Sequence, residues 1–225
     1  PCITYGSQCF REHNDLGFGV IGYEDALRVS SNTFFYQIGY GVGVDEIHKV
    51  ARKLGFTSLS GIEISEQENI GLVASSQWAK EGRGWGEPGR TPWLPEDIAS
   101  MSIGQMVVQV TPMQIAKAYA AIANGGYLVT PYLTKKDGEF LSDQPRIKID
   151  IDPEHIKLIK KGLRKVVVSG TGVDINTGVS NMPPVSGKTG TAEDWKTGLD
   201  HAWFVCFTPS DDSELLVVAL SLIHI

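Results

Sequence analysis

Val185-Ser-Gly-Lys-Thr-Gly-Thr-Ala-Glu193 is followed by His201-Ala-Trp-Phe-Val-Cys-Phe-Thr208 and then by Glu214-Leu-Leu-Val-Val-Ala-Leu220. After Thr177 the helical period of the upstream chain gives way to these runs, which read as three strands. The last two are joined by the turn-rich Pro209-Ser-Asp-Asp-Ser213. His201 to Phe207 is nearly all apolar rather than alternating, the pattern of a strand covered on both faces. A sheet between layers of helix is therefore expected.

Upstream the period is helical. Tyr23 to Gly43 reads as two short helices broken at Ser30-Ser31-Asn32, because Ser and Asn compete for backbone hydrogen bonds and favour caps. Asp45 to Leu54 carries Ile47, Val50, Ala51 and Leu54 on one face, and Gly55 closes it. Thr111, Pro112 and Gln114 form a capping box with proline at the first helical position. That helix buries Ile115, Ala118, Tyr119 and Ile122 and stops at Asn124-Gly125-Gly126. Asp152-Pro153 starts another, which runs to about Val168. Gly82 to Pro95 reads as a long irregular loop. The fold class expected is α/β, an antiparallel sheet sandwiched by helices plus a helical lobe, in one unit over residues 1–225.

At 225 residues, 42% apolar and 20% charged, the chain has the composition of a globular domain able to bury its own core. Its formal net charge of −6 argues against a nucleic-acid partner. Cys2, Cys9 and Cys206 fit neither a disulfide framework nor a zinc module, and His13, His48, His155 and His201 show no metal-ligand spacing. No metal or cofactor is expected. The run Leu215 to Leu220 is too short to cross a bilayer. Both ends read as cut: the opening Pro1-Cys-Ile-Thr-Tyr-Gly6 shows neither cap nor period, and the last strand has no closing turn. Leu220-Ser-Leu-Ile-His-Ile225 also reads like a translated sequencing-library adapter, so His224 is set aside.

The chemistry concentrates in Ser186-Gly-Lys-Thr-Gly-Thr-Ala-Glu193. On a strand, Lys188 and Gly190 share one face while Thr189 and Thr191 share the other. At a sheet edge the missing side chain of Gly190 lets a substrate backbone approach, and a cation beside two hydroxyls suits a carboxylate. The alternative is a solvated turn with a lysine in it, and Lys196-Thr197-Gly198 repeats the triplet as such a loop. A P-loop would need glycine at position 182, which is Met followed by Pro183 and Pro184. Ser30-Ser31-Asn32 is either a helix cap or a hydroxyl that relays a proton with an amide that holds a peptide carbonyl.

Taken together these motifs resemble the transpeptidase domain of class B penicillin-binding proteins, whose signatures are Ser-x-x-Lys, Ser-x-Asn and Lys-Thr-Gly. Ala26-Leu-Arg-Val-Ser-Ser-Asn-Thr-Phe-Phe-Tyr36, Met101-Ser-Ile-Gly-Gln105, Thr111-Pro-Met-Gln114, Ala123-Asn-Gly-Gly126 and His201-Ala-Trp-Phe204 carry the likeness, from about Gly17 to Leu220. Met106 and Cys206 stand where family members usually carry glycine. No Ser-x-x-Lys occurs; Ser76-Gln-Trp-Ala-Lys80 has one residue too many. The resemblance places the nucleophile upstream of Pro1.

The resemblance implies a peptidoglycan D,D-transpeptidase that needs no cofactor. Its substrates are stem peptides ending in D-Ala-D-Ala, β-lactams bind the same site, and a membrane glycosyltransferase is its partner. It implies the periplasmic face of the cytoplasmic membrane, with an N-terminal anchor outside these residues. Ser30 and Lys188 would be catalytic, with Asn32, Thr189, Gly190 and Thr191 binding substrate. Lys188 and Ser30 are expected to face each other across a gap that a donor peptide fills. A D,D-carboxypeptidase or β-lactamase of the same fold, or a non-catalytic β-lactam sensor, are the alternatives. An extracytoplasmic location would permit a Cys2–Cys9 pair, and free thiols remain open.

Overall fold

The structure, a computed structural model, describes residues 2–5, 7–14, 16–81, 93–135, 146–176, 181–194 and 198–222. Residues 82–92 of the expected loop, with Trp85, and residues 195–197 and His224 lie outside them. The chain opens with strands β1 (Cys2–Tyr5) and β2 (Gln8–Arg11), an antiparallel hairpin closed by a Cys2–Cys9 disulfide with Cα atoms 5.6 Å apart. This corrects the reading of the opening segment as unpatterned, and it decides the two cysteines in favour of the pair. Strands of four residues are too short to show a period.

Helices α1 (Tyr23–Val29) and α2 (Asn32–Val42) follow, with the expected break between them. Ser30 ends α1 in the left-handed region (φ 57, ψ 48), and the Ser31 amide donates to the Ala26 carbonyl at 2.9 Å. Ser31 caps α2, its hydroxyl accepting from the Phe34 amide at 3.2 Å. Helix α3 (Val44–Lys53) lays Ile47 and Ala51 on a cluster of Val44, Val73, Ala74, Met101 and Val107, the core of the helical lobe. Val50, expected on the buried face, is 43% exposed, since it sits at the rim of the helix's apolar stripe. Trp78 of α4 (Ser76–Lys80) and Trp93 join this cluster as packing residues. Pro95, placed by sequence in a loop, instead starts α5 (Pro95–Ser102) at its first turn.

Two-residue strands β3 (Leu72–Val73) and β4 (Val108–Gln109) pair beside this lobe. Helix α6 (Pro112–Ala123) carries the capping box as read: Thr111 and Gln114 exchange hydrogen bonds of 3.0 and 3.1 Å. Gln114, 1% exposed, also donates to the Ser58 and Ile70 carbonyls, so the cap doubles as a buried tie to the lobe. Strands β5 (Tyr127–Leu128) and β6 (Ile147–Lys148) pair next, before α7 (Pro153–Ser169). Helix α7 crosses α1 at Gly162, where any Cβ would lie 2.4 Å from a Leu27 methyl.

Strands β7 (Ser186–Asp194), β8 (Leu199–Thr208) and β9 (Leu215–Ser221) form an antiparallel sheet in that order, with Lys188 opposite Val205 and Gly190 opposite Trp203. Phe207 and Leu216 pack with Ala123 of α6 and Leu163 of α7 on one face. Cys206 and Phe204 pack with Val167, Val185, Ile175 and Met182 on the other, beyond which Val217 is 45% exposed. The fold class is the one expected. Placing β7 at the sheet border, with α6 running between sheet and helical lobe, is what creates a groove.

Candidate active site

That groove, about 860 Å³, is walled by β7 on one side and by the Ser30–Asn32 turn and residues 102–105 of the helical lobe on the other. All six residues singled out from the sequence line it: Ser30, Asn32, Lys188, Thr189, Gly190 and Thr191. Lys188 Nζ donates to Ser30 Oγ at 2.7 Å and to the Thr189 carbonyl at 2.7 Å. The expected gap between lysine and serine is therefore closed by a direct hydrogen bond, because an ammonium in this half-buried position takes the nearest acceptors. Burial pushes the Lys188 pKa down to about 8. The ammonium thus stays charged near neutrality while holding its proton loosely.

The backbone of β7 is as informative as its side chains. Thr189 O accepts from Lys188 Nζ, and Thr191 O accepts from Gln105 Nε2 at 3.0 Å. In an antiparallel strand a residue's N–H and C=O point to the same side, so Thr189 and Thr191 both present their amides to the groove. A Cβ built on Gly190 would meet nothing closer than the Trp203 Cβ at 3.5 Å, an ordinary contact. Among the described residues nothing requires glycine there; the space it leaves belongs to the groove. Thr189 Oγ1 shares a hydrogen bond of 2.6 Å with Thr171 Oγ1, which fixes the threonine rotamer.

Several groove residues were missed. His13, which has no metal-ligand spacing in the sequence, lines the groove and sits 5.4 Å from the Phe18 ring. Gln105 ends a flanking motif, Tyr119 reads from sequence only as a buried helix residue, Glu193 only ends the Lys188 stretch, and Thr171 lies in no motif, yet all four line the groove. Burial pushes the Tyr119 phenol up to about 12, so it stays neutral on α6. The Thr-Gly that follows α7 was the available signal for Thr171. Elsewhere the bland readings hold: His48 Nδ1 lies 2.6 Å from the Val73 carbonyl, and Ser76 to Lys80 form α4 away from the groove lining. Gly198, the end of the second triplet, sits in the turn before β8 with φ 69. Among the described residues no three His, Cys, Asp or Glu gather as a metal site, and no helix is long and apolar enough to cross a membrane.

A half-buried lysine on the border strand β7 is thus hydrogen-bonded to a serine at a helix junction, with the groove around them. The chain belongs to the penicillin-binding protein transpeptidase domain family, whose model matches residues 2–221. It is 31% identical over 231 residues to the peptidoglycan D,D-transpeptidase MrdA of Haemophilus influenzae, covering 94% of this chain and 34% of that protein. Among solved structures it superposes on a peptidoglycan synthase complex with a TM-score of 0.82 at 33% identity, over 98% of this chain and 37% of the other. Pseudomonas aeruginosa PBP2 in complex with WCK 5153 gives 0.81 at 28% identity, over 97% and 48%. The chain spans about a third of the length of the curated relatives it matches.

Proposed function

We propose that this chain supplies the substrate-binding groove of a peptidoglycan D,D-transpeptidase whose nucleophile, the serine of a Ser-x-x-Lys motif, lies upstream of Pro1. The Lys188–Ser30 hydrogen bond at the border of β7 carries this reading. The reaction splits an acyl transfer in two: the serine attacks the penultimate D-Ala carbonyl and expels D-Ala, and an amine of a second stem peptide then resolves the ester. Ser30 passes a proton to the leaving amine, and Lys188 holds the positive potential that steadies both nucleophile and substrate carboxylate. Thr189 and Thr191 bind that carboxylate through their hydroxyls. Asn32 orients the substrate amide. The Thr191 N–H, turned into the groove, stabilises the oxyanion, and Gly190 leaves room for the peptide backbone.

By the same reading β-lactams acylate this site, and the complete protein works on the periplasmic face of the membrane beside a glycosyltransferase, held by an N-terminal anchor. The similarity to a synthase complex that couples polymerization and crosslinking supports the partner. We read residues 1–225 as part of one transpeptidase domain, whose last six residues, 220–225, carry the adapter-like sequence. Fluorescent penicillin tests the function. The complete polypeptide should form a long-lived covalent adduct, lost on Lys188→Ala, and the 225-residue chain should take no label. Rapid hydrolysis of penicillin would make it a β-lactamase, and an upstream sequence without Ser-x-x-Lys would defeat the enzyme reading.

A further inference from the structure

Glu12 lies one residue past β2 and reaches the Ser30–Asn32 turn and the start of α2. Its side chain is 3% exposed, and both oxygens are engaged. Oε2 accepts from the Asn32 amide at 2.8 Å; Oε1 accepts from the Thr33 amide at 3.0 Å and from the hydroxyls of Ser31 and Thr33. One carboxylate thus holds three consecutive residues of the motif region. The Asn32 and Thr33 amides belong to the first turn of α2, where backbone N–H groups lack helical partners and negative charge is favoured. Burial alone would raise the carboxyl's pKa, but the hydrogen bonds from Ser31, Thr33 and Asn32 outweigh it and hold it below the usual range.

The turn needs holding. Ser30 is a non-glycine residue in the left-handed region, a conformation that costs about 1 kcal/mol or more and persists where its surroundings over-determine it. On one side α1 fixes it; on the other Glu12 fixes Ser31 to Thr33. Ser31 accepts from the Phe34 amide and donates to Glu12, so its hydroxyl has no freedom left. Glu12 is itself delivered by a braced element. The Cys2–Cys9 disulfide closes the hairpin, Tyr5 stacks on Tyr40 of α2 at 3.5 Å, and Phe10 meets Tyr36 edge-on at 5.7 Å.

We propose that Glu12 is a positioning residue of this site: its carboxylate, carried by the disulfide-closed hairpin, clamps Ser31, Asn32 and Thr33 so that the Ser30 hydroxyl and the Asn32 side chain stand ready at the groove. This rests on the transpeptidase reading above. The test measures penicillin acylation of the complete polypeptide, as a rate per molecule that finally takes label. Wild type that takes no label sinks that reading and the Glu12 role with it; labelled wild type isolates Glu12. Glu12→Gln keeps the shape but turns a donor toward the Asn32 amide. Acylation of the molecules that do fold should then slow about tenfold, as small misplacements of reacting groups do, with weaker penicillin binding before acylation, alongside the lower melting temperature that two facing buried donors bring. Glu12→Asp should recover part of the rate. If Glu12→Gln lowers only the labelled fraction or the melting temperature, Glu12 is merely structural and the proposal fails. Should that variant not fold, Thr33→Val, which deletes one hydroxyl from the carboxylate, decides: a rate within about twofold of wild type overturns the proposal.

Discussion

Replacing Lys188 by methionine should make the chain more stable at pH 7. The lysine pKa falls from the usual 10.5 to about 8 because the ammonium is partly stripped of water. At about 1.4 kcal/mol per tenfold change in proton affinity, that displacement corresponds to about 3 kcal/mol, which the folded state bears whenever the group is charged. Below pH 8 folded and unfolded chains are both protonated and the full cost is present. Between 8 and 10.5 the folded chain releases its proton first, the unfolded chain holds more protons, and stability from this group rises with pH. Methionine fills the same volume without the charge. The hydroxyl and carbonyl it abandons, on Ser30 and Thr189, face the groove and can take water. Urea unfolding of both proteins should therefore show Lys188→Met ahead by about 3 kcal/mol at pH 7, the gap narrowing to roughly half of that at pH 9.5. A gap that does not change with pH, or a methionine variant less stable than wild type at pH 7, refutes the assignment of the cost to the buried ammonium.

Gly190→Ala should fold with a melting temperature within about 2 °C of wild type, since its Cβ meets only ordinary contact, yet the complete polypeptide should lose penicillin labelling several-fold; equal labelling would mean the groove is not used at that point. Met106 holds a left-handed backbone (φ 55), so Met106→Gly should raise the melting temperature by about 1–3 °C in differential scanning calorimetry despite glycine's entropy. Reducing the Cys2–Cys9 bond reopens a loop of sequence separation 7, worth about 2 kcal/mol by chain entropy. Amide exchange at Ile3 and Phe10 should quicken while that of the Val205 and Phe207 amides in β8 stays slow; uniform quickening would show that the hairpin supports the whole fold.

Legibility in the sequence followed the length of each element. The capping box at Thr111 and Gln114, the helix start at Asp152-Pro153 and the apolar run at His201 declared themselves locally, since each depends on neighbours a few residues away. The hairpin at Cys2 did not: its strands have four residues each, and its stability comes from Tyr5 and Phe10 meeting Tyr40 and Tyr36 on α2. In the groove, Lys188 and Ser30 could be named because each sits in a recognisable triplet. Their direct contact across 158 positions could not, and neither could Glu12, whose partners lie about twenty residues ahead. Thr171 and Gln105 act through one hydrogen bond each to β7, which leaves no pattern in composition or period.

Ser30 occupies a backbone conformation in which glycine would sit without strain. A protein engineer scoring this position by thermostability alone would accept the glycine and discard the hydroxyl that accepts from the Lys188 ammonium. Stabilised libraries of the complete polypeptide therefore need a labelling screen at every round, since selection for folding alone does nothing to keep the hydroxyl at position 30.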